Sequence, residues 1–143
     1  MTVVVKRVYA PVSRSDGARV LVDRLWPRGL SKADAALDEW LRDLAPSDEL
    51  RHWYHARPGY WTSFRKKYLQ ELASPEADEA LRRLYHLARK RKRVTLLFAS
   101  KNETRNNAVV LKELLDGMRK PPDGTGLGAV SALRKRQAAV RRR

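Results

Sequence analysis

The chain has 143 residues, 43% of them hydrophobic, which is enough for one domain with a sizeable core plus a tail. Its formal net charge is +15 and its pI ≈ 10.8, a balance that favours polyanionic partners such as nucleic acid, an anionic surface or phosphorylated ligands. It contains no cysteine, which excludes disulfides, thiolate catalysis and cysteine-ligated zinc or iron–sulfur centres.

The N-terminus has no charged region ahead of an apolar stretch, and no apolar run approaches the roughly 20 residues that span a bilayer. The expected location is the cytoplasm, with no membrane partner. The bland alternative for the charge is a solubilising surface with no specific partner.

Thr2 to Tyr9 is rich in β-branched residues and predicts a first strand. Ala10 to Ala18 carries Pro11, Ser13, Asp16 and Gly17 and reads as a connection. Arg19 to Leu25 predicts the second strand, whose continuous Val20-Leu21-Val22 fits a strand covered on both faces. The first connection is short for a parallel crossover, so these two strands are either antiparallel or parallel with a tight turn of helix between them.

Ser31 is an N-cap candidate, and Ala35, Leu37, Trp40, Leu41 and Leu44 then recur at helical spacing up to Pro46. Ser47-Asp48-Glu49 opens a further helix that Pro58-Gly59 ends. Trp61, Phe64, Tyr68 and Leu72 mark the next, and Ser74-Pro75-Glu76 starts one that runs into Arg89–Arg93. Val94 to Ala99 predicts the third strand, and Asn106-Asn107 precedes a last helix that Gly117 stops.

These elements make an α/β domain with a small, mostly parallel sheet of about three strands packed with helices, over residues 1–118. Residues 119–143 hold eight basic residues and one acid, +7 of the total, after the Pro121-Pro122 linker, and are expected to form a disordered basic tail.

The stretch Asp16-Gly17-x-Arg19-Val20-Leu21-Val22-Asp23-Arg24-Leu25-Trp26-Pro27-Arg28-Gly29, preceded by Lys6-Arg7-Val8-Tyr9, resembles the YeaO-like family of bacterial proteins, domain of unknown function 488. The resemblance continues through Trp40, Leu44-Ala45-Pro46-Ser47, Trp53, His55, Trp61, Phe64 and Tyr68 to Asn106-Asn107-Ala108, and so covers Thr2 to about Met118. It implies a small cytoplasmic α/β protein and brings no established activity. Members of the family typically carry a histidine directly before the Asn-Asn pair, where this chain has Arg105. Chemistry that depends on that histidine is therefore absent here.

In α/β folds, ligands bind at the carboxyl ends of strands. Asp23, Arg24, Trp26 and Arg28 leave strand two, and Lys101, Arg105, Asn106 and Asn107 follow strand three. If the strands are parallel neighbours, these residues share one rim. Its cations and a helix N-terminus suit a small or phosphorylated anion, with Asp23 as candidate catalytic residue orienting a base, a hydroxyl or a water. Alternatively Asp23 pairs with an arginine and holds the turn, and Asn106 is only an N-cap.

Arg89, Lys90, Arg91, Lys92 and Arg93, together with Arg134, Lys135, Arg136, Arg141, Arg142 and Arg143, are candidate nucleic-acid contacts. The aromatics Trp26, Trp40, Trp53, Tyr54, Trp61, Phe64 and Tyr68 are candidate base-stacking platforms; helical spacing favours core packing for Trp40, Phe64 and Tyr68, whereas Trp26, between Arg24 and Arg28 at a strand end, is placed to stack on a ligand or an arginine. His52, His55 and His86 lack acids at ligand spacing, so no metal and no cofactor is expected.

Three functions remain open: a binder of anionic partners, nucleic acid first; an enzyme or sensor of a small anion at the Asp23–Lys101 rim; and a structural or protein-interaction module without ligand. The sequence leaves the oligomeric state open.

Overall fold

The structure, a computed structural model, describes residues 1–123. Strands β1 (Thr2–Arg7), β2 (Ala18–Leu21), β3 (Glu39–Trp40) and β4 (Arg93–Phe98) form one sheet in the order β1-β4-β2-β3, and every pairing is parallel. The helices are α1 (Lys32–Ala35), α2 (Asp48–Ala56), α3 (Trp61–Glu71), α4 (Pro75–Arg91) and α5 (Asn107–Gly117). The protein is thus an α/β fold on a small parallel sheet. The residues from 124 onward, including Arg134–Arg136, Arg141–Arg143 and most of the expected tail, lie outside the described residues.

The strands alternate sides with a period of two. Val3 and Val5, Ala18 and Val20, and Val94, Leu96 and Phe98 face the main core, built with Phe64, Tyr68, Leu81, Leu84, Leu111 and Leu115 of α3, α4 and α5. Leu21 and Leu97 face the other way, into a smaller cluster with Val8, Trp26, Leu30, Leu37 and Trp40. Val94 to Phe98 are buried without interruption because β4 is central and covered on both sides. Truncating Leu96 or Leu97 to Ala opens a cavity in one layer or the other, at about 2–5 kcal/mol.

Of the two alternatives for the first connection, the parallel one holds: β1 and β2 run parallel with a turn of helix between them, and β4 lies between them in the sheet. Two sequence expectations need correction, the first being that the second strand ends at Leu21 rather than Leu25. The chain from Val8 to Gly17 returns across the sheet through a 3-10 turn, Arg14–Asp16, whose N-cap Ser13 and Asp16 form a reciprocal capping box. Gly17 then enters β2 at φ 65, pressed so closely on Arg93 that any Cβ would overlap the Arg93 carbonyl oxygen.

The long helix expected from Ser31 to Leu44 is the second correction. Ser31 does cap a helix, but α1 lasts one turn and ends at Ala36, which adopts the left-handed conformation at φ 47. Glu39–Trp40 then pairs with Val20–Leu21 as a fourth strand, and a 3-10 turn covers Arg42–Leu44. The cause is distant in sequence. Buried Arg19 donates from Nη2 to the Ala35 carbonyl (2.9 Å) and from Nε to the Ala35 and Ala36 carbonyls (both 3.2 Å). A guanidinium from the sheet thus takes the carbonyls that would continue the helix.

The other caps fall where expected: Ser47, Ser74 and Asn106 each accept a backbone N–H of the first turn. The expected boundary after Met118 follows the end of α5 by one residue. Among the described residues, no helix is long and apolar enough to cross a membrane.

Candidate functional site

Because all strands are parallel, their carboxyl ends share one rim. The chain leaves β2 at Val22, whose N–H donates to the Leu97 carbonyl at 3.1 Å, and Asp23 then turns toward β4 and α5. One Asp23 carboxylate oxygen accepts the Ala99 N–H at 2.8 Å and the other accepts the Asn107 amide at 3.1 Å. The same amide donates to the Val22 carbonyl at 2.9 Å, and the Asp23 carbonyl accepts the Trp40 indole N–H at 2.7 Å. Asp23 therefore ties together the ends of β2 and β4, the start of α5 and the short strand β3.

Burial raises the Asp23 carboxyl above its ordinary value; the Ala99 N–H, the Asn107 amide and the Arg51 guanidinium oppose the rise only in part. Below the rim, Tyr68 is fully buried and donates its hydroxyl to the Leu44 carbonyl. Burial, then the negative charges of Asp23 and Glu71, push its phenol well up, so it stays a protonated donor.

The cations stand outside this node. Lys101 follows the bonded Ala99 by two residues, on the end of β4 that lies beside the end of β2 carrying Asp23. Lys101 and Arg105 are exposed, and their side chains make no hydrogen bond or ion pair among the described residues, as is true of Arg28; the Arg105 charge does act on the Tyr54 phenol. Arg24 donates from Nε to the Pro46 carbonyl at 3.3 Å, which anchors the approach to α2. Trp26 does not stand free between Arg24 and Arg28: its indole N–H bonds the Leu30 carbonyl at 2.6 Å and its ring meets Trp40 edge-on at 5.3 Å.

Asn106 caps α5, accepting the Val109 N–H at 3.1 Å. It also donates to the Asn102 carbonyl at 2.8 Å, while the Asn102 side chain accepts the N–H groups of Thr104 and Arg105 at 3.1 and 3.0 Å. The loop from β4 to α5 is therefore built on its own polar groups, and it holds Arg105 outward.

Three rim residues were missed in the sequence. Arg7 donates to the Ser100 and Ala99 carbonyls at 3.1 and 3.3 Å, pinning the end of β4. Arg51 brings its charge to Asp23 from α2. Tyr54 donates to the Arg105 carbonyl at 3.4 Å and stacks on Phe64 at 4.3 Å; burial raises its phenol and Arg105 partly offsets that. Arg51 reads locally as a partner for Asp48, which it meets at 3.4 Å. No local signal places it by Asp23, because the docking of α2 does so.

The basic run is elsewhere. Arg89–Arg91 end α4, Lys92 turns at φ 64 and Arg93 starts β4, so the run lies at the amino end of the sheet, opposite the rim. Arg91 meets Asp38 at 3.5 Å and Arg89 lies 6.0 Å over the Tyr85 ring. Lys90, Lys92 and the Arg93 side chain have no protein partner among the described residues.

Comparison with known proteins follows the same outline. Residues 2–128 match a family model described as "Inactive DUF488-N3 subclade". The chain is 48% identical over 115 residues to "Uncharacterized protein YeaO" of Escherichia coli (strain K12), covering 80% of this chain and 97% of that protein. It is 43% identical over 113 residues to "Uncharacterized protein Mb3100c" of Mycobacterium bovis, covering 79% of this chain and 92% of the relative. "Uncharacterized protein Rv3073c" of Mycobacterium tuberculosis matches with the same identity and coverage. No solved structure matches. The motifs around Asp23 and Asn107 thus sit inside a match that spans the whole described fold, and the chain belongs to the YeaO-like DUF488 family.

Proposed function

We propose that this protein is a non-catalytic, cytoplasmic binder of polyanions, with nucleic acid as its partner. One observation carries the reading: the rim carboxylate is bound into the fold, while Lys101, Arg105 and Arg28 beside it make no hydrogen bond or ion pair through their side chains among the described residues. Each Asp23 oxygen accepts one hydrogen bond from the fold, which fixes the carboxylate between Ala99 and Asn107 as a structural tie. At the other end, the side chains of Lys90, Lys92 and Arg93 likewise make no hydrogen bond or ion pair among the described residues. Such cations bind phosphates by releasing counterions, without choosing sequence. The word "inactive" in the description of the matching family model supports the non-catalytic part. The lack of cysteine supports the location.

A second reading keeps the rim but replaces the polymer with a small phosphorylated ligand near the start of α5. The free Lys101 and Arg105 favour it, as does the raised Asp23 carboxyl, which repels an anion less than an ordinary carboxylate does.

The test is titration of the whole chain onto a random-sequence duplex at increasing salt, repeated with Arg89, Lys90, Lys92 and Arg93 changed to Gln. Affinity should fall linearly with salt on logarithmic axes. The variant slope should be shallower by about 0.9 for each phosphate that the variant no longer neutralises. Absent duplex binding at low salt removes the polymer reading. If inorganic phosphate still raises the melting temperature and Arg105→Ala abolishes the rise, the small-ligand reading takes its place. No response to either leaves a structural or protein-interaction module.

A further inference from the structure

Between α2 and α3 runs an open groove of about 460 Å³ with Leu50 and Trp53 in its lining. Its lining is separate from the hydrogen bonds that hold Asp23. Trp53 packs against the main core but, unlike Phe64 and Tyr68, is only half-buried, so part of its ring is left to the groove. Two cations lie against its ring, Lys67 at 5.2 Å and Arg57 at 5.5 Å from the centroid. Tyr60 meets it edge-on at 6.1 Å and is itself 59% exposed. A half-buried indole beside an exposed phenol, flanked by Lys67 and by Arg57, which also donates to the Trp53 carbonyl at 3.4 Å, combines a stacking surface with phosphate-binding charge.

The remaining lining supplies polar groups that the fold leaves unused. Glu49 and Gln70 line the groove, and among the described residues neither side chain has a protein hydrogen-bond partner; the Trp53 indole N–H also lacks one. Glu71, by contrast, is fully engaged by Ser47, through the backbone N–H at 2.8 Å and the hydroxyl at 2.6 Å. The free carboxylate of Glu49 accepts N–H groups and repels phosphate, so it suits a base edge that carries an exocyclic amine. Gln70 both donates and accepts, which suits the neighbouring ring positions of such a base.

We propose that this groove seats an unpaired nucleobase with an exocyclic amine, stacked on Trp53 and read by Glu49 and Gln70, with Lys67 and Arg57 on the flanking phosphates. The proposal rests on the polyanion reading and adds a preference for single strands over duplex, because a paired base offers no free face or edge.

The test compares oligo-dC, oligo-dT and a duplex of equal length against the whole chain. The expected result is tighter binding of oligo-dC than of oligo-dT. Trp53→Ala should weaken single-strand binding about tenfold, the scale of one stacked base, and leave duplex binding unchanged. Glu49→Ala should abolish the preference for dC over dT. If Trp53→Ala fails to fold, Gln70→Ala, a change at an exposed position, carries the test and should reduce the same preference. Duplex binding with equal affinity for dC and dT, or variants that weaken single-strand and duplex binding alike, overturns the groove and leaves the polyanion reading standing. Absence of all nucleic-acid binding at low salt overturns both.

Discussion

Two acids bracket β2, Asp16 buried and Asp23 half-buried, and they are held in opposite ways. Asp16, just before the strand, accepts from the Lys6 ammonium at 3.0 Å, the Arg19 guanidinium at 2.6 Å and the Ser13 N–H at 3.0 Å. Burial acts to raise its carboxyl, but the Ser13 N–H and the two cations together hold it below its ordinary value. Asp23, just after the strand, has only neutral direct partners, Ala99 N–H and the Asn107 amide, and burial leaves it raised. One end of the strand is closed by a neutralised ion network. The other is joined by neutral hydrogen bonds, with its cations facing water. Both ends also carry cations that no carboxylate takes, Lys101, Arg105 and Arg28 on the rim and Lys90, Lys92 and Arg93 at the amino end, so the difference between the ends lies in how each acid is held.

The largest effect separating the two ends should come from Arg19. Arg19→Met removes one of the two cations on Asp16 and leaves the carbonyls of Ala35 and Ala36 without their donor. Breaking a buried ion pair from one side costs about 3–5 kcal/mol. Denaturant unfolding should show a decrease of that size. A decrease under about 1 kcal/mol, the scale of an exposed pair, would contradict the closed network.

Asp23→Ala should cost less. It leaves the Ala99 N–H and the Asn107 amide without their Asp23 acceptor, at about 1–3 kcal/mol for a buried donor left unpaired. Asn107→Ala should cost a similar amount, and the double variant should cost less than the sum because the two residues share one bond.

How far the sequence announced this contrast depends on the range of the interactions. The caps at Ser47, Ser74 and Asn106 were legible because each bonds within its own first turn. The strands Thr2–Arg7 and Arg93–Phe98 were legible as apolar, β-branched runs. That Asp23 and Lys101 follow neighbouring strand ends was legible once parallel strands were assumed. What stayed hidden depends on interactions across the fold. Leu37, Trp40, Leu41 and Leu44 fit a helix as well as a strand and turn, and bonds from β2 hold the second: the Arg19 guanidinium on Ala35 and Ala36, and the Arg19 and Leu21 main chain on Asp38 and Leu41. Asp16 read as a turn residue, and its buried cations come from β1 and β2. Arg7 and Arg51 are ordinary surface arginines by local pattern.

The two acids should also respond oppositely to pH. The folded Asp23 carboxyl holds its proton more tightly than the unfolded one, so stability is lost as pH rises from about 4 through its folded value. The folded Asp16 carboxyl is the more acidic, so its contribution is present above about pH 4 and is lost as pH falls through its folded value. The cost of Asp23→Asn should therefore shrink as pH rises, by about 1.4 kcal/mol for each unit by which the folded value exceeds the unfolded one. The cost of Asp16→Asn should grow with pH. Unfolding of both variants and the parent between acid and neutral pH checks the signs, and parallel curves would contradict the contrast.

The smallest effect on stability should come from the rim cations, and that smallness is the point. Lys101 and Arg105 are exposed, and their side chains make no hydrogen bond or ion pair among the described residues, so their truncation breaks neither. Lys101→Ala with Arg105→Ala should stay within about 0.5 kcal/mol of the parent. The Tyr54 hydroxyl bonds the Arg105 backbone carbonyl, which the substitution keeps, so α2 stays docked. Polyanion affinity should nevertheless fall and its salt slope should flatten, because a phosphate left without its cation keeps its counterions. If the double variant instead melts early with unchanged affinity, the rim cations serve the fold as Arg19 does, and the two ends of β2 no longer differ in kind.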